Sequence, residues 1–160
     1  MAKVDATLYR SIIGGLRYLV HTRSNIAFAV GYVSRFMEDP REDHWAVVKR
    51  LLRYVKGTVD HGIIFPKTGK SRLLLTVFSN ADMAGDIDGR RSTSGVLVFL
   101  GSAPISWLSL KQKVVTLSTC EAEYVAAATA ACQVVWLHRL LGELTGVEAH
   151  PPAVTEPTKS

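Results

Sequence analysis

Cysteine is scarce in this chain of 160 residues: Cys120 and Cys132 are the only two. They fall twelve positions apart in one expected helix, which holds them roughly 18 Å apart, too far to pair with each other. Reduced thiols, and so a cytoplasmic or nuclear setting, are the simple expectation. A run of about 18 uninterrupted apolar residues is lacking, so no membrane span is expected. The first ten residues, MAKVDATLYR, contain no apolar stretch, so no secretory signal is expected. Glycine-rich phosphate loops and dinucleotide fingerprints do not occur. His44, His61, His138 and His150 follow no metal-ligand spacing. Internal repeats and low-complexity tracts are also missing.

What is present describes a globular protein: 48% apolar residues, 21% charged residues and a formal net charge of +5. The excess positive charge lies in the first third. Residues 1–57 hold ten Lys/Arg and five Asp/Glu, whereas residues 58–160 hold nine of each. A basic helical segment on a neutral remainder is the footprint that phosphate backbones attract.

That first third carries helical periodicity. Leu8, Ile12, Leu16 and Leu19 predict one apolar face, with Arg10 and Arg17 off it. Ser24-Asn25 suggests the cap of a second helix lined by Ile26, Val30 and Val33, which stops before Asp39-Pro40. Asp43 suggests the cap of a third, with Trp45, Val48, Leu52 and Val55 inward and Gly57 at its end. Lys49, Arg53 and Lys56 follow at i, i+4 and i+7, a basic stripe along that helix.

Past Gly57 the period changes. Arg72–Ser79 (RLLLTVFS) predicts a central strand. Gly95–Leu100 and Ala103–Leu108, joined by Gly101-Ser102, predict a hairpin. Ser118 or Thr119 then caps a long helix reaching about Leu144. The expected class is α+β: helices, a three-stranded antiparallel meander, then one long helix.

Five stretches carry a family resemblance: YRSIIGGLRYLVHTRSNIAFAV (9–30), HWAVVKRLLRYVKGT (44–58), FSNADMAGDIDGRRSTSG (78–95), ISWLSLKQKVVTLSTCEAEYVAAA (105–128) and VVWLHRLLGEL (134–144). In this order they resemble the C-terminal end of copia-type retrotransposon polyproteins, over about Val4 to Ala149. The resemblance implies reverse-transcriptase connection helices over 1–57, a truncated ribonuclease H domain over 58–149 and a flexible tail over 150–160. The polymerase Tyr-x-Asp-Asp motif does not occur in the chain.

Ribonuclease H cuts the RNA strand of an RNA–DNA hybrid with two Mg or Mn ions held by converging carboxylates. By resemblance, Glu123 matches the helix-borne glutamate. Glu121 is expected to serve as a helix N-terminal charge, though it could join Asp82 and Glu123 as a weak metal ligand. The first catalytic aspartate is replaced: Asn80 stands there, and a neutral amide cannot bridge two cations. Asp82, two residues on, is a possible substitute ligand. The later family acids have no counterpart. The expectation is a catalytically impaired, interaction-type module, with residual metal-dependent cleavage as the alternative. Its nucleic-acid contacts would be Lys49, Arg53, Lys56, Arg90 and Arg91, and its nucleic-acid partner an RNA–DNA hybrid or another nucleic acid. Because the last strands of the fold are missing, the strand at 72–79 is also expected to present an open edge. Leu73, Leu75 and Val77 would then pair with a second copy or a protein partner.

Overall fold

The computed structural model describes residues 4–67, 74–86, 89–146 and 153–155. The chain forms two compact units, Met1–Ile63 and Ile64–Ser160.

The first unit is helical. Helix α1 spans Ala6–Leu19 and is capped by Asp5, whose carboxylate accepts from the amides of Thr7 at 2.8 Å and Leu8 at 3.3 Å. Its buried stripe is Tyr9, Ile13 and Leu16, one residue out of register with the expected Leu8 and Ile12 at its start. The reason is polar. The Tyr9 hydroxyl donates to the Val33 carbonyl at 2.8 Å inside the unit, so Tyr9 turns inward and Leu8 is left exposed.

Ser24-Asn25 does not cap a helix directly; it lies in a single 3-10 turn, Ser24–Ile26, that leads into α2, Ala27–Val33. Ile26, Val30 and Val33 are buried as expected. Helix α3 spans Glu42–Gly57. Asp43 does not cap it: Arg41 holds the cap position and its amide donates to His44 Nδ1 at 3.2 Å, while Asp43 lies inside the first turn and its carboxylate accepts from the adjacent His44 amide at 2.9 Å. Val48 and Leu51, not Leu52, supply its buried side. Past its end, Arg23 Nη1 donates to Thr58 Oγ1 at 2.8 Å and Nη2 to the Thr58 carbonyl at 2.6 Å. These pin the chain where α3 stops.

The second unit is a sheet with one long helix. Strands β1 (Leu75–Asp82), β2 (Thr93–Leu100) and β3 (Ala103–Lys111) form the antiparallel meander. Gly101 turns the β2–β3 hairpin at φ 62°, a left-handed conformation that a Cβ disfavours. Helix α4 spans Thr119–Thr145. Its Ala130 and Val134 pack on Leu75, Val77, Val96 and Val98, and each fully buried valine contributes about 1.5–3 kcal/mol. By length and composition alone α4 is also long and apolar enough to cross a membrane, although Thr129 and Gln133 interrupt its apolar run. In this fold it lays an alanine-rich stripe on a sheet.

The first strand is not an open edge. A short strand β4, Ala153–Thr155, pairs parallel with Thr76–Phe78, giving the order β3-β2-β1-β4. A flexible tail was expected over 150–160, but Ala153–Thr155 pair here; Pro151 and Pro152 precede the paired residues in sequence and remove no amide from this three-residue ladder. Leu75 and Val77 face α4 and are buried, so their side chains offer nothing to a partner at the edge. Leu73 lies outside the described residues.

Candidate functional site

The C-terminal end of β1 gathers the candidate acidic residues. Strand alternation puts Leu75 and Val77 toward α4 and places Asn80 and Asp82 together on the other parity, both exposed. Asp82 pairs with Thr93 of β2, and Thr93 with Lys111 of β3, so three strands finish at one level. The Asp82 carboxylate folds over the following turn, where a Cβ at Gly85 would overlap it.

Asp86 organises the residues Gly89 to Arg91. Its carboxylate accepts from the Gly89 amide at 2.9 Å and forms an ion pair with Lys111 at the end of β3. Its backbone also closes on itself, with the Arg90 amide donating to the Asp86 carbonyl at 2.8 Å and the Asp86 amide to the Arg91 carbonyl at 3.3 Å. Arg90 sits at φ 50°, and both Arg90 and Arg91 are exposed.

Beneath this end lies a buried polar network. Ser92 Oγ and Thr116 Oγ1 are 2.9 Å apart, and Ser92 Oγ accepts from the Ala84 amide at 3.1 Å. Gln112 Nε2 donates to Ser94 Oγ and to the Ala122 carbonyl, each at 2.9 Å. Because Ser94 pairs with Ala81, Gln112 ties the first turn of α4 to the end of the sheet that carries Asn80 and Asp82.

At the start of α4 two side chains accept from backbone amides. Ser118 Oγ accepts from the Glu121 amide at 3.1 Å, and Glu121 Oε2 accepts from the Leu117 amide at 2.7 Å. Glu121 is thus a helix N-terminal charge, as the sequence suggested. Glu123 is half-buried, beside the inward-facing Ala122.

These donors do not fit a two-ion centre. Asn80 offers a neutral amide oxygen, Asp82 is turned over Gly85, and one oxygen of Glu121 is committed to a backbone amide. Among the described residues no three His, Cys, Asp or Glu side chains group as metal ligands.

The basic stripe in the first unit is where its spacing put it. Lys49, Arg53 and Lys56 are exposed along α3, and Arg50, which the spacing argument passed over, is exposed beside them. Lys49 Nζ sits 5.8 Å from the centre of the Trp45 ring. Gln112 and Asp86 were also missed. Asp86 carried a signal, since an aspartate three residues ahead of a glycine is well suited to accept from its own turn. Gln112 carried none.

The chain is 47% identical over 150 residues to the retrovirus-related Pol polyprotein from transposon RE2 of Arabidopsis thaliana, covering 94% of this chain and 10% of that protein. It is 48% identical over 145 residues to the corresponding polyprotein from transposon TNT 1-94 of Nicotiana tabacum, covering 90% of this chain and 10% of that protein. It thus spans about a tenth of the length of these relatives. A third relative, secreted RxLR effector protein 161 of Plasmopara viticola, is 45% identical over 130 residues, covering 81% of this chain and 90% of the relative. No protein-family model matches the chain. No solved structure matches it either.

Proposed function

We propose that this chain, which belongs to the family of copia-type retrotransposon Pol polyproteins, is a reverse-transcriptase connection and ribonuclease H-like module that binds RNA–DNA hybrid without cutting it. Asn80 carries the reading. It stands at the end of β1, where the family resemblance expects the first metal-bridging carboxylate, and an amide neither neutralises nor bridges two cations. The neighbouring acids do not compensate, since Glu121 caps its own helix and Asp82 folds onto its own turn.

Binding rests on separate basic surfaces. In the helical unit, Lys49, Arg50, Arg53 and Lys56 line the exposed side of α3, where four cations can follow a phosphate backbone. In the sheet unit, Arg90 and Arg91 project from a loop held in shape by Asp86. Contacts of this kind recognise a charged backbone and carry no sequence information.

The test is incubation of labelled RNA–DNA hybrid with the purified chain and manganese, followed by separation of products on a denaturing gel and of complexes on a native gel. A retarded complex with intact RNA is the expected outcome. Shortened RNA would restore the nuclease reading through Asp82, Glu121 and Glu123, and absence of a complex at low salt would remove the binding reading.

A further inference from the structure

The outward side of α4 has a symmetry of its own. Its buried arc is Ala122, Ala126, Ala130 and Val134. On the opposite side, at 3.6 residues per turn, Glu121, Ala128, Cys132 and Arg139 fall on one line along the helix. Tyr124 and Val135 flank that line on one side, Val125 and Trp136 on the other. This surface is apolar and open to solvent: Tyr124 is 76% exposed, Trp136 56% and Val135 47%. A contiguous apolar patch of this kind marks an interaction surface.

The arrangement matches itself when reversed about the level of Ala130. Glu121 and Arg139 stand equally far on either side of that level, as do Ala128 and Cys132. Tyr124 is matched within one residue by Val135 on its own flank, and Val125 by Trp136 on the other. In an antiparallel pair of such helices, Glu121 of each copy therefore meets Arg139 of the other, so opposite charges close both ends. Each aromatic ring falls against a valine, and small side chains meet in the middle, where close approach is needed. A parallel pairing would set Glu121 against Glu121 and Arg139 against Arg139.

We propose that α4 docks on α4 of a second copy of this chain, antiparallel about a two-fold axis at the level of Ala130. The occupant is chosen by charge complementarity along this one line. The contact is isologous, so it closes as a dimer and does not propagate. The surface is distinct from the sheet edge considered from the sequence, and the inference does not depend on the nucleic-acid reading.

The cysteines give the geometry a direct readout. In the proposed pair the two Cys132 residues are offset by about 6 Å along the helix axes, with axes about 8–10 Å apart. The two Cys120 residues are about 30 Å apart along the same direction. A short bismaleimide applied to the full chain is expected to link two copies, to do so equally in Cys120→Ser, and to fail in Cys132→Ser.

Sedimentation of the wild-type chain gives the dimer constant. Glu121→Arg and Arg139→Glu each set like charges at both ends and should each weaken the dimer by about tenfold. An equimolar mixture of the two variants restores opposite charges at both ends and should return the constant to within about threefold of wild type. A wild-type chain that is monomeric at about 100 µM overturns the proposal, because that excludes even a weak specific dimer. So does a dimer whose cross-link survives Cys132→Ser, or one indifferent to both charge changes. Circular dichroism of each variant confirms that α4 is still formed, and recovery in the mixture cannot come from a folding defect.

Discussion

The side-chain amide of Gln112 donates to the Ala122 carbonyl and to the Ser94 hydroxyl, both at 2.9 Å, so one buried residue just beyond β3 fastens β2 to the first turn of α4. The start of α4 is therefore set against the end of the sheet by a polar clamp, and the positions of Glu121 and Glu123 follow from it.

Gln112→Ala should lower the unfolding free energy of the sheet unit by about 1–3 kcal/mol, because buried acceptors lose their donor. Urea denaturation followed by circular dichroism measures it. A loss under about 0.5 kcal/mol, the ordinary range for surface substitutions, would mean that the clamp does not hold α4.

Asp86→Ala removes the acceptor for the Gly89 amide and the partner of Lys111 together. The loop carrying Arg90 and Arg91 should loosen, with amide exchange there rising at least about tenfold while β2 and β3 keep their protection. Unchanged exchange in the loop would show that Asp86 does not shape it.

Tyr9 gives the helical unit a pH limit. Burial chiefly, then Tyr32 and Asp43, push its phenol up from 10.0 to about 12. A raised phenol pKa means that the unfolded chain ionises first. The stabilisation is complete below about pH 10 and is lost as pH climbs from there through about 12, reaching about 2–3 kcal/mol. Tyr9→Phe should flatten this alkaline loss and cost about 1 kcal/mol at neutral pH, where the hydrogen bond to Val33 disappears. Thermal melts at pH 8 to 12 test both; an equally steep alkaline loss in the variant would assign it to other groups.

Asn80→Asp supplies the missing carboxylate without a full ligand set. Hybrid cleavage with magnesium or manganese should stay at background, since Glu121 remains engaged with the Leu117 amide. Metal-dependent cleavage in this variant, abolished by chelation, would show that Asp82 and Glu123 can complete a centre after all.

The elements were legible wherever one local pattern dominated. The Gly101 hairpin, the Ser118 cap and the inward Ile26, Val30 and Val33 follow from turn chemistry and period alone. Two competing patterns defeated the reading of α1 and α3. Leu8 and Ile12 recur at the same spacing as Tyr9 and Ile13, and Leu51 stands beside Leu52, so only tertiary partners decide which set turns inward. Strand β4 was not legible, because three residues behind Pro151-Pro152 have little local signal and gain their stability from a distant ladder on Thr76–Phe78. At the site, Asn80 and the capping role of Glu121 could be read directly. Gln112 could not, because its two acceptors lie 10 and 18 residues away in the chain.

The most direct test of hybrid binding without cleavage is the anisotropy of a labelled RNA–DNA hybrid, titrated at two salt concentrations with and without manganese. The wild-type chain should bind at low salt, weaken steeply as salt rises, and leave the signal steady when manganese is added. Replacing Lys49, Arg53 and Lys56 with Gln should flatten the salt slope by about two to three, since each phosphate that a cation no longer neutralises removes about 0.9 from it. No binding at low salt, or a signal that falls with time in manganese, would contradict the account.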